Sequence, residues 1–324
     1  MSLLELNINP DIRGYQHHAF TLGIILKEKE NYFWLYNNYI QLVYSKKGGL
    51  DTFNFNMEFA THQTPFIRNT LDDYLLDLLS IDKIDYIITA LEHGKYVEMC
   101  VDEYYIPHRR AYMKQHFIHD ILIYGYDTVD KCFTAIGYDD NMQYSVTKIP
   151  TELLRESKPT YLELLELKSN YKYCLDIPRI LLHVGQYLNL IPDYLQGDQY
   201  YDDIKFGLEA CYSLFESYSE LLDQLEICPI VQVYLFMEHK KCMYLRMKYI
   251  FNTYNLNEET LLEKYNENVN NAVKLLNLII KYNFRASTDT ANRIKKYFLK
   301  IIDNERSLLT EFYKILENIY ENSK

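Results

Sequence analysis

The sequence is short of several things, and each shortage removes a class of protein. It has 10 Gly and 8 Pro in 324 residues, too few for a fibrous or low-complexity chain. Its longest apolar runs are a few residues, such as Leu275-Leu276 and Leu278-Ile279-Ile280 split by Asn277, so no bilayer span is expected. The six Cys, at 100, 132, 174, 211, 228 and 242, form no Cys-x-x-Cys pair. That spacing argues against zinc and suits reduced thiols, so a cytoplasmic protein is expected. The opening MSLLELNINPD lacks the basic start and apolar stretch of a secretory signal. Basic charge is also short. The net charge of -11 leaves no positive field for DNA or RNA.

What the chain has is tyrosine, 33 of them against 15 Phe and 1 Trp, enough aromatic bulk for a large core. Tyrosine runs through the whole length, but histidine does not: seven of nine lie at or before His119. Residues 1–150 carry 20 acidic and 13 basic side chains, and residues 151–324 carry 25 and 21. The halves differ in kind.

An α+β fold is expected, with the division at residue 150. Residues 15–30 form a short amphipathic helix, with apolar Phe20, Ile24 and Ile25. Lys46-Lys47-Gly48-Gly49 signals a turn after the run 40–44. Two helices, 71–79 and 84–91, end at His93-Gly94. Four β-rich runs follow (96–106, 116–126, 131–138 and 142–149), read as an antiparallel meander. After Pro150 the helical period runs nearly to the end, with helices expected over 151–167, 178–191, 202–225, 229–253, 257–282 and 287–320. Ser287-Thr288-Asp289-Thr290 offers caps for the last of them.

Chemistry concentrates in HDILIYGYD (119–127) and FTAIGYDD (133–140). In a hairpin the start of one strand lies beside the end of the next, which puts His119 and Asp139 at one sheet edge. An imidazole held by a carboxylate is the base half of a nucleophilic triad. The plainer alternative is a strand histidine and a turn-forming aspartate. His17-His18 point in different directions on a helix and have no third ligand, so no metal is expected; a place at the cleft fits them better. His108-Arg109-Arg110, with Lys114 and His116, is the one basic cluster of the first half. It is either a phosphate-binding fork or a solvated loop. The run 101–105 alternates, so Asp102 and Tyr104 share one face and Glu103 and Tyr105 the other. Cys100 and Cys132 read as structural thiols.

The stretch VDEYYIPHRRAYMKQHFIHDILIYGYD followed by CFTAIGYDD resembles the N-terminal family of butirosin-biosynthesis protein H. That family is papain-like and related to bacteriocin-processing cysteine peptidases. The resemblance covers roughly residues 5–155. It implies a papain-like half followed by helices. It makes His119 the catalytic base and Asp139 its orienting acid, with Asp140 and Asp127 as lesser choices. The implied activity is acyl transfer or amide formation in peptide-antibiotic biosynthesis, from a carrier-protein thioester to an amine. No cofactor of the protein's own is implied; a phosphopantetheine arm would arrive on the carrier protein and could meet Arg109 and Arg110. Tyr15, Gln16, His17 and Tyr104 would line the substrate cleft. The nucleophilic Cys of the family aligns with Gly14, and no Cys precedes Cys100. The Gln that helps hold the oxyanion aligns with Ile8; Asn9 is the neighbouring amide, or else part of an Asn-Pro-Asp turn. Two further readings stay open: a non-catalytic binding protein of the same fold, and a peptidase-like hydrolase.

Overall fold

In a computed structural model, the structure describes residues 2–47, 50–56, 65–70, 73–168, 173–191 and 204–323. The fold is α+β, an antiparallel sheet in the N-terminal half followed by helices. Contacts divide the chain into two compact units.

The first unit comprises Met1–Tyr32 and Gln63–Lys172. Its seven strands are β1 (Ser2–Leu3), β4 (Phe66–Thr70), β5 (Tyr96–Asp102), β6 (Ile118–Asp127), β7 (Cys132–Tyr138), β8 (Tyr144–Pro150) and β9 (Thr160–Leu167). The order is β4-β9-β5-β6-β7-β8, all antiparallel, with β1 also on β6. The expected meander is therefore present as β5 to β8. One face carries Val97, Met99, Val101, Ile121, Ile123, Phe133, Ala135, Ile149 and Leu162. The helix α4 (Lys83–Glu92) lays Ile84, Ile87 and Leu91 on this face, one helical stripe at spacings of three and four. Asp82 caps α4 by accepting from the N–H groups of Ile84 (2.9 Å) and Asp85 (3.2 Å). Gly94, at φ +75°, lets the chain turn out of it. The helix α3 (Asp73–Leu78) precedes α4, and α1 (Gln16–Ile25) is buried on almost every side, packing Phe20 near the Tyr144 ring.

One expected helix is not formed. Residues 151–167 split into α5 (Thr151–Glu156) and strand β9. Pro159 has no N–H to donate and disfavours helical backbone at the residue before it; Lys158 lies at φ +49°, outside the right-handed helix. The segment TYLELLEL then pairs with β4 and β5, around a register shift opposite Glu98–Cys100.

The second unit comprises Phe33–His62 and Tyr173–Lys324. The expected boundary at 150 thus differs at two places: α5 and β9 belong with the sheet, and most of 33–62 belongs with the helices. That segment holds most of α2 (Tyr32–Asn38) and the hairpin β2 (Leu42–Lys47) with β3 (Leu50–Phe55), joined by β10 (Ile204–Phe206). The turn expected at Gly48-Gly49 lies outside the described residues. The remaining helices are α6 (Ile177–Tyr187), α7 (Gly207–Asp223), α8 (Ile230–Thr253), α9 (Glu259–Phe284) and α10 (Thr288–Asn322), the last capped by Ser287 through Thr290 N–H. No helix among the described residues is long and apolar enough to cross a membrane.

The tyrosines serve this unit's interior. Tyr187 and Tyr265 are fully buried and both donate to Glu305, at 2.8 Å each. Lys240 Nζ meets the same carboxylate at 2.5 Å. Lys240 also lies 3.3 Å from His239 Nδ1, while His239 Nε2 is 2.8 Å from the Ile40 carbonyl. Burial, then the Lys240 charge, pushes His239 well below its ordinary pKa, so it is neutral.

Candidate functional site

The site begins where α1 begins. Tyr15 is in an extended conformation, and the helix starts at Gln16. The Gln16 side chain is buried and spans two strands: Oε1 accepts from Tyr138 N–H (2.7 Å), and Nε2 donates to the Asp120 carbonyl (2.9 Å). Nε2 also lies 3.1 Å from His119 Nδ1. One amide thus ties the helix start to the head of β6 and the tail of β7. Gln16 fits so closely because position 137 is glycine. A Cβ there would stand 2.7 Å from Gln16 Oε1 and 2.8 and 2.9 Å from the Arg109 guanidinium nitrogens.

His119 is half-buried between two carboxylates. Its Nδ1 is 3.3 Å from Glu103 Oε1 and its Nε2 is 3.5 Å from Asp120 Oδ1. The hydrogen bond to Glu103 raises its pKa; burial opposes this, Asp120 adds to it and Arg109 subtracts. Nδ1 therefore has a partner for each protonation state. A protonated ring donates to Glu103, and a neutral one accepts from Gln16. The ring is thus held in place from both sides.

Asp139 is not the orienting acid. Its Oδ1 accepts from the N–H groups of Asn141 (2.9 Å) and Gln143 (2.8 Å), and its Oδ2 from Ser145 Oγ (3.1 Å). A short aspartate at a turn is satisfied by its own backbone. The β6–β7 ladder starts only at Leu122 and Ile136, before 119 and 139 can face each other. Asp127, a lesser choice, caps the turn at the far end of that hairpin through Val129 and Asp130 N–H. Asp140 hydrogen-bonds Asn141, and its N–H goes to the His108 carbonyl.

Glu103 takes the role instead. β5 stops at Asp102, which accepts from Tyr104 N–H and so opens a tight turn over Glu103–Tyr105. The β5–β6 pairing sets Val101 opposite His119, which brings Glu103 diagonally onto the imidazole. The strand expected over 96–106 ends at Asp102, and that early end frees Glu103 from the ladder. Pairing the first two runs of the meander would have found this acid.

The other expected residues divide. Gly14 is buried, two residues before the first residue of α1, and carries no side chain. Tyr15 stacks on His17, with centroids 5.6 Å apart. Loss of hydration raises the Tyr15 pKa and lowers that of His17, Asp120 opposing the latter. Asn9 is exposed, and its Oδ1 accepts from Arg13 Nη1 at 3.0 Å. Tyr104 stacks on His116, 4.6 Å between centroids, rather than on His119. The basic cluster splits. Arg110 is exposed, whereas Arg109 is buried, with Nη1 donating to the Tyr138 carbonyl. Arg109 is thus an internal strut of the site, not a surface phosphate fork. Glu103, Asp139 and Asp120 all favour its charge against burial.

Neither cysteine of this unit has the surroundings of a reactive thiolate. Cys100 pairs with Asp120 across the ladder, and burial, with Asp120 and Glu98, raises its pKa away from the reactive thiolate. Cys132 opens β7 and lies six residues from Tyr138, about 20 Å along the strand. No group of His, Cys, Asp or Glu suited to a metal occurs among the described residues. Compared with protein-family models and with curated proteins, the chain finds no match.

Proposed function

We propose that this site is an acyl-transfer site of papain-like type, built for a carrier-protein-bound acyl thioester and an amine acceptor, as in peptide-antibiotic assembly. One observation carries the reading. The buried helix start at Gly14–Gln16 meets a carboxylate-held imidazole, His119, through the Gln16 amide. A helix N-terminus favours negative charge, which suits the oxyanion of a thioester carbonyl under attack. His119 moves the proton, and Glu103 steadies its imidazolium. Gly14 stands where the nucleophile belongs, so the chain as it is holds an acyl group without forming an acyl-enzyme. The site then binds its substrates in the cytoplasm rather than cutting them.

Gly14→Cys tests this. Incubated with an acyl thioester, the Gly14→Cys chain gains the mass of one acyl group by intact-mass spectrometry, and the unaltered chain does not. Adding His119→Ala to it slows trapping by about 10²–10⁴-fold. A folded Gly14→Cys chain that never acquires the acyl mass sinks the proposal. Release as an amide with a supplied amine, rather than as the free acid, separates transfer from hydrolysis.

A further inference from the structure

His116 is exposed, yet its ring is held from two sides. Nδ1 lies 2.6 Å from Asp102 Oδ2, and the ring stacks on Tyr104 at 4.6 Å with 28° between planes. Asp102 is itself fixed: Oδ1 accepts from the N–H groups of Tyr104 and Phe117, at 3.1 Å each. Burial raises the Asp102 pKa, but the bonds from His116 and these two N–H groups outweigh it, leaving the carboxylate below its ordinary value. Nδ1 is engaged while the side chain as a whole is 69% exposed, which leaves Nε2 as the nitrogen for an outside partner. This repeats the arrangement next door. The consecutive acids Asp102 and Glu103 each hold one imidazole, of His116 and His119. Phe117 joins the two pairs: its N–H goes to Asp102, its carbonyl accepts from Glu103 N–H (2.8 Å), and its ring stacks on His119 at 5.3 Å.

We propose that His116, backed by Asp102, is a second proton-transfer group that serves the amine acceptor; this rests on the acyl-transfer reading above. Amide formation from a thioester makes a C–N bond and breaks a C–S bond, and it moves one proton from nitrogen to sulfur. His116 Nε2 takes the proton of the attacking amine, and His119 returns one to the leaving thiolate. Solvent resets the pair. An exposed imidazole with an anchored tautomer suits the acceptor side, because the amine arrives from water.

The test is acylation of imidazole nitrogen by diethyl pyrocarbonate on the full chain at pH 8, where an ordinary imidazole is unprotonated, read by peptide mass mapping. His93 is the internal control, exposed and with Nδ1 2.8 Å from the Thr89 carbonyl instead of a carboxylate. His116 reacts roughly tenfold faster than His93, and Asp102→Asn brings it to the His93 rate. A His116 rate no greater than that of His93 in the unaltered chain overturns the proposal, whether or not Asp102→Asn folds. In the acylated Gly14→Cys chain, His116→Gln slows release by glycinamide about a hundredfold without slowing acylation; unchanged release removes the acceptor role. If Gly14→Cys never acylates, the acyl-transfer reading fails, and the labelling ratio still decides whether His116 is an activated imidazole.

Discussion

Replacing Glu305 by Gln costs the helical unit about 3–5 kcal/mol, seen as a lowered urea midpoint with little change in slope. Glu305 and Lys240 have no solvent exposure, and their side chains meet at 2.5 Å. Removing the carboxylate's charge leaves the ammonium buried without its counter-charge, and the price is set by that stranded cation rather than by the worth of the pair. Lys240→Met strands the anion and costs about as much. The double change Glu305→Gln with Lys240→Met regains part of the loss, because no uncompensated charge then stays inside. The Gln carbonyl still offers an oxygen to Tyr187 or Tyr265. A double change as costly as the two single losses added together would show that the two groups do not act as a pair.

Gly137→Ala costs about 1–3 kcal/mol and loosens the site from beneath. The new methyl would lie 2.7 Å from Gln16 Oε1 and under 3 Å from both terminal nitrogens of Arg109. Neither group has room to give: Gln16 is anchored on Tyr138 N–H and the Asp120 carbonyl, and Arg109 on the Tyr138 carbonyl. The expected signature is a lowered urea midpoint together with faster hydrogen exchange at Tyr138 N–H, as its bond to Gln16 breaks. Unchanged exchange at Tyr138 with unchanged stability would mean that the close packing at Gly137 does not hold Gln16 in place.

Much of this architecture is legible in the residues. The meander is written in its β-rich runs and polar turns, the α4 stop in His93-Gly94, and the long helices in their periodicity. Pro159 is equally visible, and it conflicts with the helix over 151–167 that apolar spacing alone suggests. Segment 33–62 is a different matter. Its placement with the helical residues depends on contacts such as His239 with Ile40 and Arg246 with the Tyr36 and Tyr39 carbonyls, some two hundred positions apart. No local pattern announces those. At the site, the sequence singles out His119 and Gln16. Gln16, expected to line a cleft, instead spends its buried amide on Tyr138, Asp120 and His119, and the acid beside His119 is not the expected one. Asp139 has the right place in an ideal hairpin, and its own turn claims it. Glu103 has the wrong place on an ideal strand, and a one-turn break after Asp102 delivers it.

The central claim, that Glu103 rather than Asp139 holds His119 as a base at the head of α1, is tested most directly by NMR titration of the His119 ring. In the unaltered chain it titrates above the ordinary value of 6.5. A raised histidine pKa means that protonation favours the folded state. The stabilising contribution is complete below the unfolded pKa and disappears as pH rises through the folded one. Glu103→Gln brings the His119 midpoint down and flattens the dependence of stability on pH across that window, while Asp139→Asn leaves the midpoint where it was. A midpoint that ignores Glu103→Gln and falls with Asp139→Asn would contradict the account and return the acid's role to the turn.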